Sequence, residues 1–379
     1  MTRSGGAVAV FGATSYVGRF LLERLSDRGF TVYGVARSSI TADILLRGLR
    51  QRVNVCSPED LDDTPLDAVI NLAYLRQSIP VGIVRRNRML VDAVHRAALR
   101  ARAPRLLHVS SAAVFGYRLR EPPRPGPAPR VSGDSYFELK GDAERRLLHR
   151  ARSAPYVPAI IRPGNILGPG SPAWVAGPAQ RMLAGKPVAL VGKDGFSNAT
   201  YVRNLADYLA HAAASPVAEL RDFGAYHHVA EFSGIRWSRW FEAFAETVGV
   251  APVYAEALPA ATGGGRLSSL AGWAARAYRG GPLGVWMRRL LGRLPSDELG
   301  GRMFLRLKTG LAAAAVRRGQ PADAGDAHYL TIVSAEHEFR SHTLKTWTPP
   351  VDLPAALADM RRSLADDGFA LGALPALQT

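Results

Sequence analysis

The sequence predicts an α/β fold in which a parallel sheet is doubly wound by helices. Apolar runs too short for helices alternate with amphipathic stretches over residues 1–230. The first run, Ala7–Phe11, suits a strand that is buried on both faces. Gly12 ends this strand, and an amphipathic stretch at 16–28 follows it. A strand, a glycine turn and a helix in this order are the opening of a Rossmann-type sheet.

The same alternation continues beyond the first helix. Further strands are predicted at 31–36, 52–55, 67–72, 105–111, 156–162 and 226–230. Helices are predicted at 81–102, 135–152 and 203–214, and small strands at 188–191 and 199–202. Because helices join consecutive strands, the sheet is expected to be parallel.

The alternation of strands and helices is interrupted after residue 165, which indicates two interleaved parts. The prediction is a Rossmann-type domain at 1–165, rejoined by about 198–230, and a smaller C-terminal substrate domain at 166–197 and 231–379. Within the second part, about 262–325 has helical stretches in which a few aromatic residues lie among several arginines. We interpret it as an inserted helical lid or packing layer; the alternative is a basic amphipathic surface that contacts a membrane or a partner.

Composition excludes several classes of protein. The 379-residue chain is 47% hydrophobic and 8% aromatic, as in ordinary globular proteins. No apolar run reaches the ~18 residues of a membrane span. Cys56 is the single cysteine, so an internal disulfide is excluded and no metal site is predicted. A reducing, cytoplasmic setting is expected.

The net charge of +16 is due to arginine, because only five of the 48 basic residues are lysines. An excess of basic residues is typical of proteins with nucleic-acid or anionic-membrane partners. No basic run alternates with aromatic residues in the manner of a single-strand binder, which disfavours a nucleic-acid partner. We interpret the arginines as a background composition on solvated helix faces, and a phosphate-bearing cofactor is also consistent with them.

The first turn has the features of a dinucleotide-binding site. Gly12 permits the tight turn, and Gly18 permits close packing of the helix on the strand. Ser15 stands where the usual spacing has its middle glycine. The helix N-terminus would face a pyrophosphate with its N–H groups and its positive dipole end. The predicted cofactor contacts in this turn are Gly12, Thr14, Ser15, Tyr16, Val17 and Gly18.

The end of the second strand bears on the choice between NAD and NADP. Roughly 20 residues beyond the glycine turn, an acidic residue would bind the NAD ribose. Arg37 stands there instead, followed by Ser38. Since an arginine can pair with the 2′-phosphate, NADP is the predicted cofactor and NAD is the alternative. Arg37 would also suit a surface position at the start of a helix.

The carboxyl ends of the predicted strands carry Gly12, Arg37, Ala73 and Ser111. Ligands on doubly wound sheets bind beyond these ends, so four loops are expected to converge on one crevice. The Pro-rich loop at 121–129 is interpreted either as a cover of this crevice or as a stiff surface connection. A small-molecule site is therefore predicted at this edge of the sheet.

Three polar residues near this edge suit hydride-transfer chemistry. Tyr136 and Lys140 are four apart on a predicted helix and share one of its faces, and Ser111 ends the preceding strand. Oxidation of a carbinol requires a base, but a phenol with a pKa near 10 is a poor one at neutral pH. An ammonium about 4 Å away is worth roughly 4 kcal/mol, or about three pKa units. Lys140 is thus predicted to activate Tyr136, while Ser111 holds the substrate oxygen.

A set of motifs in a specific order now identifies a resemblance. The motifs are GATSYVG at 12–18, NLA at 71–73, SSAAVFG at 110–116, Tyr136 with Lys140, and RPGNILGPG at 162–170. This set resembles the extended short-chain dehydrogenase/reductases, in their epimerase/dehydratase branch. The resemblance spans residues 7–230 and resumes at 334–366, where the closing segment of that branch is matched.

The resemblance implies roles for individual residues. The family gives Ser111, Tyr136 and Lys140 the catalytic roles argued above, and Lys140 also holds the nicotinamide ribose. Cofactor contacts are thereby implied for Leu72, Ala73, Lys140, Pro163 and Gly164, the last two near the carboxamide. Family members often form homodimers through the helices that match 81–102 and 135–152.

Departures from the family pattern bear on the substrate. Ala112 and Ala113 stand where dehydratases have acidic residues, so dehydration is not expected. Ser197, with Asn198 as its neighbour, stands where sugar-nucleotide members usually have an arginine that binds a diphosphate, and Arg203 is the residue that could compensate. The predicted substrate contacts are Ala113, Asn165, Ser197 and Arg203.

The sequence leaves three functions open. The first is an NAD(P)(H)-dependent oxidoreductase that reduces a ketone or oxidises a secondary alcohol on a natural-product or sugar-like molecule. The second is a nucleotide-sugar 4-epimerase or 4-ketoreductase, in which the same three side chains act at one sugar carbon. The third is a non-catalytic NADP-binding regulator, which the intact Ser, Tyr and Lys set disfavours.

Overall fold

A computed structural model describes residues 6–36, 39–61, 64–75, 82–116, 121–129, 135–257 and 324–366. Its strands are β1 (Ala7–Phe11), β2 (Thr31–Val35), β3 (Asn54–Cys56), β4 (Ala68–Asn71), β5 (Arg105–Val109), β6 (Val157–Pro163), β7 (Asn165–Leu167), β8 (Pro187–Leu190), β9 (Ala199–Tyr201), β10 (Tyr226–Val229) and β11 (Val253–Ala255). Its α-helices are α1 (Tyr16–Asp27), α2 (Ser39–Leu45), α3 (Ile83–Arg100), α4 (Ser135–Ala151), α5 (Gly177–Leu183), α6 (Val202–Ala214), α7 (Val217–Phe223), α8 (Trp237–Val248), α9 (Ala324–Val333) and α10 (Leu353–Asp366).

Seven of these strands form one parallel sheet in the order β10-β6-β5-β4-β1-β2-β3. The strand order reverses between β1 and β4, and ligands bind at such a switch point in open α/β sheets. The doubly wound Rossmann-type fold predicted from the sequence is thereby confirmed.

The main sheet is buried on both faces because successive residues of its strands enter two different cores. Val8 and Val10 of β1 pack in one core together with α1 and α6, whereas Ala9 and Phe11 pack in the other together with α3 and α4. This explains why the strands read as short continuous apolar runs rather than as alternating patterns.

A third core lies outside the main sheet. Side chains from the small strands, α5, α8, α9 and α10 form it, and its largest fully buried members are Trp237 and Trp240. β8 pairs with β11, and β7 pairs with β9. This core belongs to the part that the sequence assigns to substrate binding, while residues 258–323, with almost all of the predicted insertion at 262–325, lie outside the described residues.

The predicted elements that the structure describes lie within two residues of the observed ones at each end. Two strands and six helices were not predicted, namely β7, β11, α2, α5, α7, α8, α9 and α10. β3 is displaced to Asn54–Cys56, and the predicted strand at 105–111 ends at Val109, which leaves Ser111 to begin the next turn. β7 was not predicted, because the Pro163-Gly164-Asn165 sequence is typical of a turn. It exists because it pairs with β9, a strand more than thirty residues later that supplies its hydrogen-bonding partners.

No helix in the described ranges is long and apolar enough to cross a membrane.

Candidate active site

The turn between β1 and α1 approaches the end of β4 so closely that only glycine fits. Gly12 has a φ of +81°, in the left-handed region that side chains disfavour. A Cβ on Gly12 would lie 2.9 Å from the backbone nitrogen of Ala73 and 3.0 Å from the carbonyl carbon of Leu72. The first and fourth strands of the sheet therefore meet at this glycine, as expected for a coenzyme crevice.

The start of α1 packs directly on the same turn. The Ser15 hydroxyl oxygen accepts a hydrogen bond from the Gly18 N–H at 3.1 Å and caps the helix. A Cβ on Gly18 would lie 2.4 Å from the carbonyl oxygen of Ala13 and 2.6 Å from that of Gly12. The two glycines and the short cap thus make a cradle against a helix N-terminus, which fits the pyrophosphate of a dinucleotide.

The side chains of Tyr16 and Val17 pack against neighbouring residues. Val17 is a member of the core beside α1. The Tyr16 ring lies edge-on to Phe20, and its hydroxyl lies 3.0 Å from where a Cβ on Gly168 would be. Burial raises the pKa of the Tyr16 phenol. The cofactor contacts predicted at Thr14, Tyr16 and Val17 stay predictions.

The loop after β4 is fixed by two buried asparagines. Asn71 accepts a hydrogen bond from the Ala73 N–H at 3.0 Å, and its amide nitrogen lies 2.9 Å from His108 Nδ1 on β5. Asn87 on α3 accepts from the Leu75 N–H at 3.0 Å. Burial lowers the pKa of His108 to about 3, so the ring is neutral and its Nδ1 accepts the Asn71 amide proton.

The predicted catalytic residues lie at the carboxyl end of β5 and on α4. Ser111 caps a single 3-10 turn at Ala112–Phe115, and its hydroxyl oxygen accepts from the Ala113 N–H at 3.2 Å. Lys140 is buried, and its Nζ donates to the Val109 carbonyl at 3.0 Å, two residues before Ser111. Tyr136 lies one helical turn before Lys140 and is 36% exposed.

The electrostatics of Lys140 depend mainly on its burial. Loss of hydration lowers its pKa to about 8, and the Glu144 carboxylate, one turn later on α4, opposes this effect. Glu144 is itself held by Arg162, whose Nε and Nη2 donate to its two carboxylate oxygens at 3.0 and 2.7 Å. Within the part of the chain that the structure describes, Lys140 forms no ion pair, because Arg162 engages the nearby Glu144 carboxylate.

A cleft opens beside Ser111. Its walls come from the turn after β5, the Pro-rich loop, the end of β6, the segment before β9 and the segment after α9. The lining residues are Ser111, Ala112, Ala113, Gly116, Pro123, Gly164, Asn165, Asn198, Ala335, His337 and Phe339. Pro123 is among them, which supports the interpretation of the loop at 121–129 as a cover of the crevice.

Asn198 holds the far wall of this cleft and was not predicted as a site residue. Its backbone has a φ of +45°, its side-chain nitrogen donates to the His337 carbonyl at 2.9 Å, and its side-chain oxygen accepts from the Phe339 N–H at 2.6 Å. A Cβ on Gly164 would lie 1.9 Å from the Asn198 carbonyl oxygen, so the end of β6 presses against the same residue. The sequence offered only one indication of this role: asparagine is one of the few residues that tolerate the left-handed conformation, but this does not by itself identify a site residue.

Some of the predicted substrate and cofactor residues lie at the cleft, and others lie away from it. Ala113, Gly164 and Asn165 line the cleft, and Pro163 ends β6 beside it. Ser197 is buried, and its hydroxyl donates to the Phe232 carbonyl at 3.0 Å. Arg203 pairs with Asp359 at 3.1 Å and with Glu23 at 3.4 Å. Neither Ser197 nor Arg203 is among the lining residues of the cleft.

Arg37 and Ser38, which bear on the choice between NADP and NAD, lie outside the described residues.

Comparison with solved structures shows that the fold recurs in proteins solved with NAD or with UDP-sugars. MoeE5 in complex with UDP-glucose and NAD is 22% identical, with a TM-score of 0.52 over 66% of this chain and 85% of that one. The UDP-glucose-4-epimerase of Stenotrophomonas maltophila, with bound NAD, is 20% identical, with a TM-score of 0.54 over 66% of this chain and 86% of that one. At such identities the likeness is one of fold.

A third structure extends the same likeness. The UDP-N-acetylglucosamine 4-epimerase of Methanobrevibacter ruminantium is 21% identical, with a TM-score of 0.54 over 68% of this chain and 87% of that one. No protein of curated function matches the sequence. The model of the NAD dependent epimerase/dehydratase family matches residues 8–223, which include the glycine turn, Ser111, Tyr136 and Lys140. The chain therefore belongs to the NAD dependent epimerase/dehydratase family and is an NAD-dependent enzyme of that family.

Proposed function

We propose that the protein is an NAD(P)(H)-dependent oxidoreductase that interconverts a ketone and a secondary alcohol on a small natural-product or sugar-like molecule. One observation carries the proposal: Lys140 reaches the Val109 carbonyl at 3.0 Å, which brings α4 and its Tyr136 to the strand end where Ser111 begins the cleft. A phenol, an ammonium and a hydroxyl at one strand end suit proton transfer to or from a carbonyl oxygen.

Each of the three side chains has a separate task in this proposal. The bound coenzyme supplies the hydride acceptor for oxidation or the hydride donor for reduction. Tyr136 takes the hydroxyl proton of the alcohol, or returns a proton to the carbonyl oxygen of the ketone. Lys140 stabilises the phenolate by its charge. The Ser111 oxygen already accepts from the Ala113 N–H, so its own proton remains for a hydrogen bond to the substrate oxygen.

The coenzyme would be held by the cradle of Gly12, Ser15 and Gly18, with NADP preferred because of Arg37. Coenzyme choice is tested by fluorescence titration with NADPH and with NADH. We expect Arg37→Asp to weaken NADPH binding at least tenfold and to leave NADH binding within about twofold, since one charge-assisted hydrogen bond is worth about 1.5–3 kcal/mol. Equal loss for both coenzymes would contradict the preference for NADP.

The chemistry is tested with Tyr136→Phe and with Tyr33→Phe, which removes a hydroxyl on β2, as the matched control. A panel of cyclic and sugar-derived ketones is supplied with NADPH, and the loss of reduced coenzyme is followed. We expect Tyr136→Phe to lower kcat by about 10²–10⁴-fold, the usual contribution of a general acid or base. NADPH binding should be unchanged in both variants. Full activity of Tyr136→Phe on a turned-over ketone would refute the proposed role.

The second candidate is a nucleotide-sugar 4-epimerase. It is favoured by the likeness in fold to structures that contain UDP-sugars. It is opposed by two observations: Ser197 carries no charge and its hydroxyl donates to the Phe232 carbonyl, and the Arg203 guanidinium is already paired with Asp359 and Glu23. Conversion of UDP-glucose to its 4-epimer, without net change in reduced coenzyme and with chromatographic detection, would favour this candidate over the first.

A further inference from the structure

Tyr74, in the loop after β4, lies against both the predicted base and the predicted lysine. Its ring centroid is 5.5 Å from that of Tyr136, with the two ring planes at 90°. The Nζ of Lys140 lies over the Tyr74 ring, 4.9 Å from its centroid. One aromatic side chain thus contacts both members of the phenol–ammonium pair.

The backbone on either side of Tyr74 is held by the two asparagines of this loop. The preceding residue, Ala73, donates its N–H to Asn71 at 3.0 Å. The following residue, Leu75, donates to Asn87 at 3.0 Å, and the Asn87 amide returns a hydrogen bond to the Leu75 carbonyl at 3.3 Å. Because both anchors are buried, the direction in which the Tyr74 ring leaves the backbone is fixed.

We propose that Tyr74 is a positioning residue whose ring holds the Lys140 ammonium over its face and the Tyr136 ring at a right angle. The inference deepens the proposed function, since it concerns the same phenol–ammonium pair. Perpendicular aromatic pairs are a preferred geometry, and the face of a ring attracts a cation without neutralising it. A carboxylate at this position would instead compete with the phenolate for Lys140.

The other groups that face Lys140 do not supply this restraint. On its own helix, Glu144 is engaged by Arg162 of β6. From β5, the neutral ring of His108 is bound to Asn71, and the Val109 carbonyl accepts one of the three Nζ protons. Tyr74 is therefore the group on the β4 side that holds the ammonium.

The small number of lysines makes a direct test practical. With only five lysines in the chain, selective ¹³C-lysine labelling gives few ε-methylene NMR signals, and Lys140→Met assigns that of Lys140. We compare Tyr74→Leu, which keeps apolar bulk without a ring, with Tyr74→Phe, which keeps the ring. Tyr254→Leu is the control for loss of a tyrosine, because Tyr254 lies on β11 and packs against the third core, outside the main sheet.

We expect the pKa of Lys140 to fall by about 0.4–1.5 pH units in Tyr74→Leu, because the loss of a cation–π contact disfavours the ammonium by an amount in this range. Tyr74→Phe and Tyr254→Leu should leave the titration in place. An unchanged titration in Tyr74→Leu, or an equal change in Tyr74→Phe, would overturn the inference. The wild-type protein gives an independent reading, because ε-protons over a ring must be displaced upfield; ordinary shifts would also overturn it.

This titration needs neither coenzyme nor substrate, so it can fail while the proposed function stands. Conversely, full activity of Tyr136→Phe would end the proposed function and leave the contact itself intact. Once a substrate is turned over, the pH profile of kcat/KM should move in Tyr74→Leu and be restored in Tyr74→Phe. A purely structural role of Tyr74 would change the amount of folded enzyme but not the position of the profile.

Discussion

The two walls of the candidate active site are built in different ways. On the coenzyme wall, each of two turns is held by a local hydrogen bond: the Gly18 N–H donates to Ser15, three residues away, and the Ala73 N–H donates to Asn71, two residues away. The substrate wall depends on Asn198, whose partners His337 and Phe339 lie 139 and 141 residues further along the chain. The comparison teaches that the geometry of the coenzyme wall is determined by contiguous sequence and steric contact. The geometry of the substrate wall is determined by a few long-range hydrogen bonds.

The largest effect is expected on the coenzyme wall. In Gly18→Ala, the new Cβ would lie 2.4 Å from a backbone oxygen that has little freedom to move. We expect a loss of about 3 kcal/mol in the free energy of unfolding, the upper range for overpacking, together with weaker NADPH binding. Urea unfolding and fluorescence titration measure both. Gly48→Ala is the control, because a Cβ at Gly48 meets nothing within 4 Å; similar losses in the two variants would contradict the steric argument.

Lys140 lies where the two walls meet, and its replacement by an apolar residue is expected to stabilise the protein. Its folded pKa of about 8 lies below the ordinary lysine value of 10.5, so holding the ammonium in the buried site costs about 3 kcal/mol at neutral pH. After subtraction of about 1 kcal/mol for the hydrogen bond to Val109, Lys140→Met should raise the free energy of unfolding by about 2 kcal/mol.

This gain has a defined pH window. The unfolded chain binds more protons than the folded one between about pH 8 and 10.5, so the wild type regains stability as the pH rises through that range. The advantage of Lys140→Met should therefore be full below pH 8 and be lost as the pH rises toward 10.5, while ketone reduction is lost at every pH. Urea unfolding at pH 7 and pH 10 measures it, and a constant difference would argue against a costly buried charge.

The substrate wall should respond to the loss of a single amide. Asn198→Ala removes the hydrogen bonds to the His337 carbonyl and the Phe339 N–H, and it puts alanine at a positive φ. We expect a loss of about 1–2 kcal/mol in the free energy of unfolding. NADPH binding should stay within about twofold. If Asn198→Ala weakened NADPH binding as much as Gly18→Ala does, the two walls would not be independent.

The last effect, which is seen only as the pH falls, concerns acid sensitivity beneath the substrate wall. His228 stacks on Phe339 with ring centroids 4.3 Å apart, and burial lowers its pKa to about 3. Because the unfolded value is near 6.5, the neutral ring contributes stability above pH 6.5 that is lost as the pH falls toward 3. His228→Phe should flatten this dependence by about 1.4 kcal/mol per pH unit. Urea unfolding at pH 7 and pH 5 checks it, with exposed His149→Gln as the control that should not differ from wild type.

The same contrast explains what could be predicted from the sequence. The strands of the main sheet, the glycine turn and the set of Ser111, Tyr136 and Lys140 each depend on local pattern or on a family motif. Asn198, His337 and Phe339 carry no such pattern, because their meeting depends on where distant segments fold. Ser197 was predicted because it stands at the family's arginine position, and Arg203 because it could compensate. Arg203 is instead bound by carboxylates on α1 and α10, and no local sequence pattern predicts these ion pairs.

The Pro-rich loop is anchored in an unusual manner. Arg162 is fully buried, its guanidinium lies between the rings of Phe115 and Tyr226, and its Nη1 donates to the Gly126 carbonyl at 2.7 Å. Swinging the loop outward would strand a guanidinium N–H inside the protein, which carries a penalty of a few kcal/mol. Entry and exit of small molecules should therefore follow the opposite rim of the cleft, near Ala335 and His337, and enlarging the accepted substrates by mutation should begin at that rim.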